Sequence, residues 1–278
     1  MYHADVSKKM SKIPPNLTAL GRRTLPGEIN VGGRRYTLRE VFKNDFFAIT
    51  ALYDGNANGK AGKVILKVHR RAPFLLIPLR WVGRLLCAKE CAAFAQLGDV
   101  EGVPRLLERW ESTGVIREYI EGHPLARDEH VADDFHERLR ALVNTIHQRD
   151  MAYVDLEKSE NVLVGDDGKP HLFDFQISWY WPKRWGGALW PMRVIRRCLQ
   201  EGDLYHLGKL HRRSRPDQLT DAQRAATYCK PWHVAWHHPL TYPFTWCRRL
   251  VLHRIDPKRA GTERGRILKD PLIGARNE

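Results

Sequence analysis

The segment MAYVDLEKSENVLVGDDGKPHLFDFQIS, residues 151–178, constrains this chain more than any other. A polar loop carries Asp155 and Asn161. An apolar run, a Gly165–Gly168 turn and a second apolar run follow, ending at Asp174. The pattern reads as a short hairpin with two carboxylates and one amide oxygen around it.

Upstream, the texture is that of an antiparallel sheet. Residues 1–28, broken by Pro14, Pro15 and Pro26, read as a loosely ordered lead-in. RRYTLREVF, FFAITALYDG and KVILKVHR are β-rich runs, and the turn-forming DGNANGKAG (54–62) joins the last two, so 34–70 reads as three antiparallel strands. Residues 79–97 read as a helix with Trp81, Leu85, Cys91, Phe94 and Leu97 as its apolar positions. Two more strands flank the turn Ser112–Gly114. Residues 132–150 read as a second helix with Phe135, Leu139, Leu142, Val143 and Ile146 on one stripe. Beyond Ile177 the chain reads as helical, irregular and rich in Trp. Strands, a helix, two strands, then helices around a hairpin make an α+β arrangement.

Lys and Arg outnumber Asp and Glu by 46 to 32, a formal charge of +14. That balance favours anionic partners without choosing among nucleic acid, lipid headgroups, phosphorylated glycans and nucleotides. The excess gathers in HRRSR (211–215), CRRLVLHR (247–254) and DPKRAGTERGR (256–266), each of which alone reads as a solvated basic surface. Five cysteines without a CxxC pair argue against a disulfide framework and for a reducing cytoplasm; Cys87 and Cys91, one helical turn apart, read as core. The opening residues lack an apolar signal core, and no run of about 18 apolar residues occurs, so neither a secretory signal nor a transmembrane helix is expected. Lying on a membrane surface stays open.

Chemistry enters with Lys67 in a strand, Glu90 in the next helix, Asp155 and Asn161 in the loop, and Asp174 after the hairpin. A triphosphate is strongly anionic, so a fixed cation must hold it and a carboxylate must fix that cation. Mg²⁺ needs oxygen ligands, which an Asp and an Asn supply, and an acceptor hydroxyl needs an oriented carboxylate to take its proton. Singly, each residue has a plain structural reading as a snorkelling lysine, a solvated helix glutamate or a loop cap. Their order and setting together point to phosphoryl transfer.

With those residues in place, segment 151–178 resembles the catalytic loop and metal-binding segment of the protein kinase-like superfamily, above all small bacterial kinases of the lipopolysaccharide core kinase and RIO-like type. The likeness covers roughly residues 34–210. It implies a bilobal protein kinase-like fold, with a sheet-and-helix lobe over 29–121 and a mainly helical lobe over 122–278. It also implies a nucleotide, ATP with Mg²⁺. Lys67 would grip the α/β-phosphates and Glu90 would pair with it. Asp155 would be the catalytic aspartate with Lys158 reaching the γ-phosphate, and Asn161 and Asp174 the metal ligands. The hinge, REYIEGHPL (117–125), would contact adenine through backbone around Glu118 and Ile120. Asp203 would be a buried aspartate opening the large helix and bracing the catalytic loop, although Asp203 alone also reads as an N-cap.

The departures are specific. No GxGxxG precedes Lys67, so FKNDFF (42–47) takes the flap's place and Lys43 helps to cover the phosphates. Tyr153 stands for the usual histidine, the Asp155–Asn161 spacing is one residue longer than common, Gln176 replaces a glycine after Asp174-Phe175, and no APE motif follows. The expected reaction is transfer of the γ-phosphoryl group to a hydroxyl, that of a glycolipid sugar such as lipopolysaccharide core. A protein Ser/Thr acceptor, and a pseudokinase or membrane-surface scaffold, stand as alternatives. No specific nucleic acid is expected. The aromatic-basic runs at 177–199 and 74–86 suit either an anionic membrane surface, on the cytoplasmic side, or burial in the second lobe. His69, His147, His206 and WHVAWHH (232–238) invite a metal reading, with His233, His237 and His238 on hand, but aromatic packing or headgroup contact is the reading preferred.

Overall fold

The computed structural model describes residues 14–229 and 231, apart from 58–59, 75–76, 127–128, 182–185 and 188. The chain divides into units Met1–Tyr228 and Cys229–Glu278, and the fold that follows is that of the first. The basic runs at 247–254 and 256–266 and the WHVAWHH group lie outside the described residues.

A six-stranded antiparallel sheet, ordered β1-β2-β3-β4-β6-β5, comprises β1 Glu28–Val31, β2 Arg34–Asn44, β3 Ala48–Ala57, β4 Lys60–His69, β5 Leu106–Trp110 and β6 Gly114–Glu118. The three strands expected over 34–70 are present, and β1 is an addition, paired with β2 through Ile29↔Tyr36 and Val31↔Arg34. The β3–β4 ladder runs further than DGNANGKAG suggested, out to Ala57↔Lys60, because continuous pairing overrides the weak strand preference of Gly and Asn. Nor is the lead-in loose where it is described. The Ala19 carbonyl accepts hydrogen bonds from the N–H groups of Arg71 and Ala72, and Leu20 and Leu25 pack with Ile29, Tyr53 and Leu66.

Strand alternation sets the two faces. Val64, Leu66 and Val68 of β4 join that packing, so Ile65, Lys67 and His69 take the other face. Helix α1, Arg80–Gln96, packs against the sheet with Gly83, Cys87, Glu90, Ala93 and Phe94 buried. This stripe is offset from the expected one: Trp81 and Leu85 are 62% and 54% exposed. Gly83 allows the close approach, since a Cβ there would lie 2.1 Å from the Arg70 carbonyl oxygen.

The second half begins with β7, Gly122–Pro124, which pairs with β9, Val162–Gly165; β10, Pro170–Leu172, completes this three-stranded sheet. Helix α2, Phe135–Gln148, buries all five residues of its predicted stripe. The two-residue strands β8, Met151–Ala152, and β11, Trp179–Tyr180, pair beside the loop that carries Asp155. Helix α3, Trp190–Ser214, and short α4, Asp221–Ala226, follow. Phe94, Phe135, Leu139, Ile146, Tyr153, Phe175, Leu207 and Leu210 belong to one apolar core that runs from α1 into the helical half. The architecture is α+β, as expected: an antiparallel sheet with one helix, then a mainly helical half around a small hairpin. Among the described residues no helix is long and apolar enough to cross a membrane.

Candidate active site

Glu90 is fully buried in the middle of the apolar stripe of α1. A carboxylate there must be paired, because an isolated buried charge is costly. Its Oε1 accepts from Lys67 Nζ at 3.0 Å, and its Oε2 lies 2.9 Å from His69 Nε2, without the alignment of a hydrogen bond. Lys67 and His69 are two residues apart on β4 and so share a face. Lys67 Nζ also donates to Asp174 Oδ1 at 2.8 Å. One ammonium thus bridges a helix carboxylate and the carboxylate that follows the hairpin.

The loop after β8 is held from below by Asp203. Its Oδ2 and Oδ1 accept the N–H groups of Tyr153 and Val154, each at 2.7 Å, and His147 Nε2 lies 3.0 Å from Oδ2. Val154 has φ 73°, a left-handed conformation that is unusual for a β-branched residue and needs such anchoring. Asp155 comes next. Its Oδ2 accepts from Asn161 Nδ2 and from Lys158 Nζ, both at 2.7 Å, and Asn161 Nδ2 also donates to the Asp155 carbonyl at 3.1 Å. Both side-chain bonds fall on Oδ2, so Oδ1 is the oxygen left to face an incoming hydroxyl. Behind the loop, the rings of Phe94, Phe175 and Tyr153 form a fully buried edge-to-face column, with centroids 5.3 and 5.1 Å apart.

Burial alone would raise the Asp174 carboxyl, but Lys67 outweighs it, aided by Lys43 and the Gln176 N–H, and the net result is a pKa held down to about 2. For Lys67, burial pulls downward while Asp174 and Glu90 pull harder upward, so it stays an ammonium. The sign for stability follows from a depressed carboxylate. The contribution of Asp174, about 2 kcal/mol, is complete above the unfolded value near 4 and is lost as pH falls through about 2. Urea midpoints measured between pH 5 and 2 should therefore fall less steeply in Asp174→Asn than in the natural chain; parallel slopes would remove the ion pair from the account.

The expected residues converge unevenly. Lys67, Glu90 and Asp174 form one cluster, and Asp155, Lys158 and Asn161 a second. Lys43, 58% exposed on its side chain, pairs with Asp45 at 2.9 Å and lies close enough to act on Asp174. The FKNDFF turn closes through Asp45 Oδ1, which accepts the N–H groups of Phe47 and Ala48. Glu118 ends β6 with its side chain bound to Arg105, its N–H donating to the Arg105 carbonyl and its carbonyl accepting from Arg117; Ile120 is half-buried just beyond. Asp203 sits in the middle of α3, not at an N-cap, while its bracing of the loop is as expected. His69 meets Glu90 and His147 meets Asp203. Among the described residues no three His, Cys, Asp or Glu side chains form a metal cluster. An ionised Asp174 and an Asn161 whose amide nitrogen is already engaged offer two hard oxygens, which fit Mg²⁺ if phosphates and water complete its shell.

Two residues escaped the sequence reading as parts of this site, His69 and Arg117. The signal was available for both: each is a polar residue beside an apolar run, on the alternation phase of Lys67 or its cross-strand partner. A separate surface groove, bounded by Asp99, Arg138, Arg149 and Lys169, contains none of these residues.

No protein-family model matches the sequence, and no curated protein matches it. Among solved structures the chain is similar to the Rio2 kinase of Chaetomium thermophilum in an ADP/Mg²⁺-phosphoaspartate complex, at 14% identity over 72% of this chain and 61% of that one, with a TM-score of 0.47. A second structure of the same kinase gives 15% identity, 72% and 63% coverage, and a TM-score of 0.47. The chain spans less than two thirds of that kinase's length.

Proposed function

We propose that the chain transfers the γ-phosphoryl group of a purine nucleoside triphosphate to a hydroxyl on a glycolipid sugar at an anionic membrane surface. The observation that carries the reaction is the single ammonium of Lys67 held between Glu90 and Asp174, with Asp155 and Asn161 bonded to each other in the loop that follows β8. Mg²⁺, when bound through Asp174 and Asn161, neutralises phosphate charge. Lys67, fixed by Glu90, grips the phosphates, and Lys43 closes over them from the turn. Asp155 orients the acceptor and takes its proton on Oδ1, while Lys158 beside it meets the transferring group. Backbone around Glu118 and Ile120 holds the base.

The choice of acceptor is supported by what lies next to Asp155. Strand β11 pairs with β8 through Trp179↔Ala152, and from it leads an exposed surface: Trp181 is 44% exposed, Leu189 62% and Trp190 75%, with Arg193 and Arg197 exposed among them. Aromatic rings interleaved with arginines suit the interface of a bilayer bearing anionic headgroups. Given γ-labelled ATP or GTP in turn, with Mg²⁺ and cell-envelope extract, the protein should label a glycolipid fraction and leave casein unlabelled. Label in protein alone would overturn the acceptor, and no transfer at all would overturn the reaction. Sedimentation with phosphatidylglycerol vesicles should weaken about tenfold when Trp181 and Trp190 are both changed to Ala; unchanged sedimentation would remove the membrane from the proposal.

A further inference from the structure

Arg117 is a cation that the proposed reaction does not use. It opens the hinge segment and lies on the same sheet face as Lys67: Val115 pairs with Lys67 and Arg117 with Ile65, so the two cations are diagonal neighbours. It is only 8% exposed. Its guanidinium lies over the Phe173 ring, 5.2 Å from the centroid, and Nη1 donates to the Glu118 carbonyl at 3.2 Å. Nε is buried without a hydrogen-bond partner. Among the described residues no carboxylate forms an ion pair with Arg117; burial pulls its pKa down, while Glu90 and Asp174 pull it up from a distance. A buried guanidinium left so incompletely paired is costly unless something arrives to accept its remaining N–H groups.

We propose, resting on the nucleotide site read above, that Arg117 recognises the base and that the pocket takes a 6-oxopurine, a guanine nucleotide, in preference to adenine. The guanidinium is donor-only. One edge of guanine presents O6 and N7, two acceptors spaced for a pair of parallel N–H bonds, whereas the same edge of adenine presents N7 beside an amino donor. Adenine would set donor against donor at Arg117. The Glu118 carbonyl, a hinge acceptor that an adenine amino group would need, already receives Arg117. Phe173 supplies an apolar floor under the guanidinium, which keeps water from competing for those bonds.

Titration calorimetry of the full chain with Mg²⁺ and GTP, ITP or ATP in turn tests this. GTP and ITP, which share the 6-oxo group, should bind about tenfold or more tightly than ATP, and in Arg117→Met the GTP-to-ATP affinity ratio should fall toward one. ATP binding the natural chain as tightly as GTP would overturn the base reading while leaving the kinase reading intact, and this comparison needs no variant. A ratio retained in a folded Arg117→Met chain would overturn it too. If none of the three nucleotides binds, the nucleotide site itself fails and the base preference with it.

Discussion

Replacing Asp155 by Asn should slow phosphoryl transfer by about 10²–10⁴-fold, the range for loss of a positioned proton acceptor, with little change in the melting temperature. The amide has the shape of the carboxylate, and its oxygen can still accept from Asn161 Nδ2, which holds the loop. What it cannot do is take a proton from the acceptor hydroxyl. Lys158 loses its counter-charge, but it is 58% exposed on its side chain, and such pairs contribute little. Single-turnover transfer from γ-labelled nucleotide, alongside nucleotide affinity, separates the roles: transfer falls and affinity holds. A variant that transfers at the parental rate would take Asp155 out of the chemistry.

Asp203→Ala should be the most damaging change to stability in the site region, lowering it by about 3–5 kcal/mol, the range for removing one partner from a buried charged network. For a unit of this size that is a drop of roughly 10 °C in melting temperature. The carboxylate is 1% exposed and accepts from two adjacent backbone N–H groups. Each N–H orphaned in the interior costs about 1–3 kcal/mol. Val154 would also lose what holds its backbone in the left-handed region. Differential scanning calorimetry of the natural chain, Asp203→Ala and Asp203→Asn should rank them in that order of loss, with Asn between, since its single oxygen can satisfy one N–H. A shift below about 2 °C for the alanine variant would mean the loop is held by something else.

Much of this was legible in sequence where periodicity and chemistry coincide. The stripe of α2 from Phe135 to Ile146 is unambiguous at a period of 3.6, and all of it is buried. Lys67, Glu90 and Asp174, read from order and setting, meet within hydrogen-bond distance. The failures have physical causes. Helix α1 carries apolar residues on more than one side, so its sequence points to Trp81 and Leu85 as inner positions, whereas the face containing Glu90 is the buried one; a charge looks like a surface marker until its partner on another element is known. Asp203 follows a glycine, which mimics a helix start, yet the helix begins at Trp190 because packing across the loop carries it through Gly202. Strand β1 is four residues long and owes its existence to β2 beside it, a neighbour that local preference cannot register.

Lys67 and Asp174 are 107 positions apart in the chain. A contact of that span forms only after a large loop has been closed, at an entropic cost that local helices and hairpins do not bear. The ammonium and its two carboxylates therefore come together late, once both halves have folded onto the shared aromatic column. A fragment ending before the hairpin would keep Lys67 and Glu90 but lack the third charge, so nucleotide affinity becomes a gauge of how completely the whole polypeptide has matured.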